Sequence, residues 1–321
     1  MKKNEEKMLK DFCLKNNCQS ARIHSLRGDG AIRFQFFYPN LGKEAEPSGI
    51  VLFAHGAGND AIFPNFTLFR SLLQKKLIVS SFDIDGHGHS SSTYLDTDLI
   101  FNLIDHVIRD LPHLIQKTIP KGLLKHSNGP LDLHLVGHSL GAALLYHRIQ
   151  EERPFPKEAF LLRSLTLISM PLSLKLKGSP LPYIFELLSV GSLSFWKNFK
   201  TWKLELITFG RLKRKNYPFR IKLRSHRWFF HDFIGTVSEI LKKADLLKNL
   251  GTKNGKRLNL PTLLCYSALD SISPIHVGET LASAFSNSKL LTYEGETHYS
   301  LVLTERLAND ISEFIAQQGS K

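Results

Sequence analysis

Residues 131–146 read LDLHLVGHSLGAALLY, and few architectures can hold such a stretch. Its first half alternates and then fills with apolar residues, as a buried strand does. Its second half is small and helix-forming. Between them stands Ser139, with Gly137 two residues before it and Gly141 two residues after. A strand that turns abruptly into a helix leaves no room for side chains at the flanking positions, which accounts for the glycines. The turn strains the serine backbone and lifts its hydroxyl to the top of a sheet. The new helix points its N–H groups and positive dipole end at the same spot, so an oxyanion forming beside Ser139 is stabilised there, first by the N–H of Leu140.

The remainder of the chain repeats the strand-then-helix rhythm. RIHSLRGDGAIRFQFFYP reads as two strands around the turn Gly28-Asp29-Gly30. GIVLFAHGAG, LIVSSFDIDGHGHSS, LRSLTLISMP, LPTLLCYSALD and SKLLTYEGETH read as buried strands running into loops. Helical spacing is found in FPNFTLFRSLLQKK, in 97–117 with Leu99, Leu103, His106 and Val107 on one face, and near 274–285 and 299–317. Strands apolar on both faces, alternating with helices, predict an α/β protein with a mostly parallel sheet covered on both sides.

The rhythm breaks once, between residues 171 and 260. This interval holds all three tryptophans, Trp196, Trp202 and Trp228, and 19 Lys+Arg against 5 Asp+Glu. The whole chain carries 42 and 29, so the excess of basic charge is confined to this segment. It reads as a mainly helical insertion. The expected organisation is an N-terminal surface segment at 1–19, a core of 20–170 and 261–321, and a basic, aromatic-rich lid at 171–260.

A serine is a weak nucleophile without a base. His298, in YEGETHYS, follows the last predicted strand, and Asp270, in CYSALDSISP, follows the one before. An imidazole needs a carboxylate to fix its tautomer and stabilise its protonated form. Ser139, Asp270 and His298 each stand at the C-terminal end of a strand, where loops of a parallel sheet converge. Glu294 and Glu296 are neighbouring carboxylates able to replace Asp270, while Asp245 lies in the insertion and suits the role poorly. In HGAGND, residues 55–60, glycines let the backbone approach a substrate oxygen, and the N–H of Ala57 is the second expected oxyanion donor. DIDGHGHS, residues 83–90, shapes the loop beside the site. His55, His87 and His89 are expected to be hydrogen-bonded loop histidines rather than metal ligands, and His138 to pack or hydrogen-bond within the turn. No metal or other cofactor is called for.

HGAG, DIDGHGHS, GHSLG, SALD…P and GETH, in this order and at these spacings, resemble the α/β-hydrolase superfamily, in its serine-hydrolase branch with a lid domain. The resemblance covers about residues 20–170 and 260–318. It implies a sheet of about eight strands, the triad Ser139, Asp270 and His298, and a lid after SLTLISMP. Dehalogenases and epoxide hydrolases of this fold use aspartate as nucleophile, and position 139 is not aspartate. The expected reaction is acyl transfer on a carboxylic ester, lipid-like or long in its acyl chain, of the lysophospholipase or monoacylglycerol-lipase kind. A thioesterase or acyltransferase uses the same acyl-enzyme, and a receptor-like protein retaining the triad is the reading from another class.

For the lid, the expectations are an acyl pocket whose cations meet an anionic head group or membrane surface, a dock for an anionic carrier or coenzyme A phosphates, or a small core of its own with solvated charges. Nucleic acid is disfavoured, because no binding motif accompanies the charge. The N-terminus lacks the apolar core of a secretory signal, and no apolar run is long enough to span a bilayer. The expected location is therefore cytoplasmic, with peripheral membrane contact through the lid. Cys13, Cys18 and Cys265 imply no disulfide framework, so Cys13 and Cys18 are expected as thiols and Cys265 as a buried small hydrophobe.

Overall fold

In the hexapeptide at residues 49–54, Ile50, Leu52 and Ala54 enter one apolar core while Val51 and Phe53 enter a second. A strand apolar on alternate sides needs cover on both faces, and this requirement sets the architecture. The computed structural model describes residues 11–173, 192–198, 201–207, 218–222 and 229–319, apart from 14–15, 27, 29, 42–45, 58, 63–64, 91–96, 98, 121–122, 125–128, 247–249 and 252–253; between 192 and 236 it describes the backbone alone.

In chain order the elements are β1 (Asn17–His24), β2 (Ala31–Tyr38), β3 (Gly49–Ala54), α1 (Phe66–Gln74), β4 (Leu77–Phe82), α2 (Ile100–Thr118), β5 (Leu131–His138), α3 (Leu140–Gln150) and β6 (Phe160–Ile168). Then come β7 (Ser192–Asn198), β8 (Thr201–Ile207), β9 (Pro218–Lys222), α4 (Phe229–Ala244), β10 (Thr262–Ser267), α5 (Ile275–Ala282), β11 (Ser288–Tyr293), a 3-10 turn (Leu301–Leu303) and α6 (Glu305–Gln317).

Eight strands form one sheet in the order β1-β2-β4-β3-β5-β6-β10-β11. β1 and β2 form the expected antiparallel hairpin, with Asn17 opposite Tyr38 and His24 opposite Ala31, and β2 is antiparallel to β4. Every other pairing in this sheet is parallel. Residues of α2, α3, the second half of α4 and α5 close the first core. Residues of α1, the 3-10 turn and α6 close the second. The mostly parallel sheet with helices on both faces is the α/β-hydrolase architecture that the sequence motifs imply. Because β3, β4, β5, β6, β10 and β11 all run the same way, the loops after them emerge along one edge.

The interval between β6 and β10 differs from the mainly helical insertion expected. Its described backbone carries a three-stranded antiparallel sheet, β7-β8-β9, as well as the helix α4. The reason is visible in TWKLELI, where Trp202, Leu204 and Leu206 alternate with Lys203 and Glu205 at the period of a strand. The register sets Phe195 opposite Leu204 and Leu193 opposite Leu206, and then Leu204 opposite Ile221 and Leu206 opposite Phe219. The expected acyl pocket of the lid rests on side chains outside the described residues.

A second departure concerns the N-terminal cysteines. Cys13 and Cys18, expected as thiols, form a disulfide, with their Cα atoms 5.1 Å apart. The chain reverses before β1, and the reversal is held by Asn16, whose backbone N–H and side-chain amide both donate to the Phe12 carbonyl. That turn brings the two residues within bridging distance. The Phe12 ring lies against Phe37 and Phe66, at centroid distances of 5.3 and 4.9 Å, so this segment is packed on the second core. Cys265 is buried and free, as expected. Among the described residues, no helix is long and apolar enough to cross a membrane.

Candidate active site

Ser139 takes φ +51° and ψ −116°, a conformation that L residues rarely adopt. The surrounding backbone holds it there. Its N–H donates to the Ile168 carbonyl of the neighbouring strand at 2.9 Å. A Cβ on Gly137 would stand 2.6 Å from the Ala142 Cα, and one on Gly141 would stand 2.2 Å from the Ala54 carbonyl oxygen. The two glycines thus let strand, turn and helix cross at backbone contact, as the sequence pattern implied. The first intrahelical bond of α3 runs from Ala143 N–H to the Ser139 carbonyl, which leaves the N–H groups of Leu140, Gly141 and Ala142 ahead of it at the helix mouth.

The loop after β3 closes over this turn. A Cβ on Gly56 would lie 2.6 Å from His138 Nδ1 and 3.1 Å from Ser139 Cβ, so only glycine lets the 55–57 backbone approach the serine. His55 fixes that loop. Its Nδ1–H donates to the Gly56 carbonyl at 2.8 Å, and its Nε2 accepts from Ile84 N–H at 2.9 Å, tying the loops after β3 and β4 together. Asp83 then accepts from Ala61 N–H through Oδ1 and from His89 N–H through Oδ2, both at 2.7 Å. His87 donates from Nδ1 to the Asp85 carbonyl at 3.0 Å. Burial pushes His55 and His87 down to about 4, so both rings are neutral near pH 7. His55 and His87 are thus hydrogen-bonded loop histidines, and Asp83 and His55 tie the loops after β3 and β4 together.

Three side chains meet along the same edge. His298 Nε2 lies 2.8 Å from Ser139 Oγ, and His298 Nδ1 lies 2.8 Å from Asp270 Oδ2. Asp270 is buried, and its Oδ1 accepts from the N–H groups of Ile272 and Ser273 at 2.9 and 2.6 Å. Burial by itself would raise this carboxyl. The charge and hydrogen bond of His298, the Ser273 N–H and the Ser169 hydroxyl outweigh it and leave Asp270 below its ordinary value. The carboxylate is therefore ionised, and it must receive the Nδ1 proton, which leaves Nε2 facing Ser139 as an acceptor.

The other candidate acids stand elsewhere. Glu296 Oε2 accepts from Ser300 Oγ at 2.6 Å, Glu294 is exposed, and Asp245 is exposed at the end of α4. Two groups do more than the sequence pattern implied: His138, expected to pack or hydrogen-bond within the turn, and Ser169, which had no assigned role. His138 Nε2 reaches the backbone carbonyl of His298 at 3.2 Å, and Ser169 stands beside Asp270. Neither contact has a local signal, since each joins loops that are remote in the chain.

A hydroxyl, an imidazole and a carboxylate in series, below helix-mouth N–H groups, form the equipment of serine-hydrolase chemistry. Residues 45–305 match the serine aminopeptidase S33 family. No curated protein matches the sequence. Among solved structures, an esterase from Pyrococcus furiosus is 14% identical, with a TM-score of 0.59 over 97% of this chain and 94% of that one. A monoacylglycerol lipase from Paleococcus ferrophilus is 16% identical, with a TM-score of 0.53 over 94% of this chain and 100% of that one. The esterase domain of a Rhodothermus marinus protein is 18% identical, with a TM-score of 0.51 over 94% of this chain and 97% of that one. These three share the fold. With the family match spanning most of its length and a Ser–His–Asp series assembled at the sheet edge, the chain belongs to the serine aminopeptidase S33 family and is a serine hydrolase of the α/β-hydrolase fold.

Proposed function

We propose that the protein hydrolyses carboxylic esters with a lipid-like or long acyl chain through an acyl-enzyme on Ser139. The observation that carries this reading is the pair of 2.8 Å contacts linking Ser139, His298 and Asp270 on a strained turn. Ser139 Oγ attacks the ester carbonyl while His298 Nε2 takes its proton. The Asp270 carboxylate stabilises the imidazolium so formed, and the oxyanion lies between the N–H groups of Ala57 and Leu140. Collapse expels the alcohol, which leaves with the proton from His298. Water, deprotonated by the same imidazole, then releases the acid and restores the serine.

The lipid-like acyl chain is supported by the insertion. Apolar residues fall on matching positions of β7, β8 and β9, and the interval carries the basic excess of the chain. We place the lid at 171–260, with its cations toward an anionic head group or membrane surface. The S33 family name denotes an aminopeptidase, and amide cleavage would use the same three residues, so the test includes it.

The experiment combines a fluorophosphonate probe, p-nitrophenyl esters of graded chain length, a thioester and an aminoacyl p-nitroanilide. Labelling that Ser139→Ala abolishes, with turnover rising toward medium or long chains, is the expected result. Preference for acetate would remove the acyl-chain assignment. Preference for the anilide would make the protein a peptidase, and preference for the thioester a thioesterase. Labelling without turnover would favour a receptor-like role. Sedimentation with anionic and neutral liposomes at low and high salt tests the surface contact, and equal recovery in all four would reject it.

A further inference from the structure

β6 ends at Ile168, and the next residue, Ser169, is held at φ +45° with its side chain fully buried. Its N–H donates to the Cys265 carbonyl at 2.8 Å, which places it where β6 leaves the sheet beside β10. The carbonyl of the following Met170 accepts from Tyr266 Oη at 2.8 Å and from Ser273 Oγ at 2.6 Å. Ser273 is also a residue whose N–H holds Asp270 Oδ1. The end of β6 is thus stitched to the loop that carries the acid.

The Asp270 carboxylate is unevenly provided with donors. Among the described residues, Oδ1 accepts two N–H groups, and His298 Nδ1 is the one donor at close hydrogen-bond geometry on Oδ2. A carboxylate oxygen has room for two donors, so Oδ2 can take a second one beside His298. The Ser169 hydroxyl is close enough to help hold this carboxylate ionised, yet among the described residues it completes no well-aligned hydrogen bond. Leaving a buried hydroxyl without a well-formed hydrogen bond is destabilising. A non-glycine residue at positive φ adds backbone strain. Two costs at one residue, beside the acid, call for a compensating role.

We propose that Ser169 is a positioning residue, whose hydroxyl donates to Asp270 Oδ2 and keeps the carboxylate aligned with His298 Nδ1 as the imidazole takes the serine proton. This rests on the proposed triad. A donor on Oδ2 also spreads the carboxylate charge. Without it the carboxylate would hold the imidazolium proton more tightly, and the acidic limb of the kcat/KM profile would move to higher pH.

The test compares wild type, Ser169→Ala and Ser169→Gly, the last of which removes the hydroxyl while relieving the backbone at φ +45°. Read-outs are fluorophosphonate labelling rate, kcat and KM on the best ester, the pH profile, and the thermal midpoint. If wild type is not labelled, the triad itself is at fault. With wild type labelled, the proposal expects both variants to lose about tenfold in kcat at unchanged KM, the loss of one charge-assisted hydrogen bond, with the acidic limb raised in both. Wild-type kinetics in both variants would overturn it. Recovery of kcat in the glycine variant alone would assign the effect to the backbone and overturn it equally, as would loss of the fold in both.

Discussion

The His138 ring, next to the nucleophile in sequence, donates from Nε2 to the backbone carbonyl of His298, the residue that receives the nucleophile's proton, at 3.2 Å. A carbonyl only accepts, so the proton is on Nε2 and Nδ1 is the bare nitrogen. Burial, and next the nearby His298, push His138 down to about 3. The ring therefore stays neutral when His298 is protonated, and it straps the base to the turn without competing for the proton.

His138→Phe keeps the ring volume and removes the strap. We expect kcat to fall about tenfold with KM unchanged, the size of one lost hydrogen bond that positions a reacting group. His138→Gln retains an N–H donor and should keep more of the rate. Steady-state kinetics on a p-nitrophenyl ester check this. A phenylalanine variant as fast as wild type would remove the strap from the mechanism.

The glycines of the turn predict a sharp contrast in stability. Gly141→Ala would drive a methyl group to within 2.2 Å of the Ala54 carbonyl oxygen, a backbone atom that cannot swing away. A cost of about 3 kcal/mol or more is expected, the range reached when a packed site is forced apart. Gly129→Ala meets nothing within 4 Å and should stay within about 0.5 kcal/mol of wild type. Denaturant unfolding of the two variants checks the contrast, and equal stability would mean that the helix does not cross β3 at backbone contact.

Four buried histidines predict acid lability. His55, His87 and His134 are pushed down to about 4, and His138 to about 3, chiefly by burial. Their folded values lie below the unfolded one near 6.5, so the unfolded chain takes up protons first as pH falls. The stability they contribute is complete above about pH 6.5 and is lost between there and about pH 4, at up to about 1.4 kcal/mol per pH unit for each ring. Thermal midpoints should fall steeply from pH 6.5 to 4.5, and less steeply in His134→Gln. A flat profile over that range would contradict the neutral, buried state of these rings.

What sequence reasoning reached follows from where each residue stands. Ser139, His298 and Asp270 each follow an apolar strand at a break in pattern, so the parallel sheet that predicts their edge also predicts their meeting. The strands of the insertion are only five to seven residues long, so the alternation of Trp202, Leu204 and Leu206 is brief, and its pairing with β7 and β9 is not legible in any one segment. The Cys13–Cys18 bridge depends on the reversal held by Asn16 and Phe12, which a spacing of five residues does not announce. His138 and Ser169 lie beside segments far from them in the chain. A histidine or serine at a strand end looks the same whether it packs passively or holds a neighbour.

Asp270 supports the sharpest expectation. Its Oδ1 accepts two backbone N–H groups, from Ile272 and Ser273. In Asp270→Asn the amide oxygen must stay on that side, because an NH2 group there would face two donors. The NH2 is then turned toward His298 Nδ1, which must become the acceptor, and the ring proton moves to Nε2. Ser139 is left facing a donor in place of its base, so kcat should fall by about 10⁴, the loss found where a triad aspartate elsewhere is changed in this way. Raising the pH cannot restore a tautomer, so the loss should persist across the neutral to alkaline range. Glu296→Gln should retain activity within a few-fold, since that carboxylate is engaged with Ser300. An Asp270→Asn enzyme within tenfold of wild type, with Glu296→Gln inactive, would move the acid from the loop after β10 to the loop after β11.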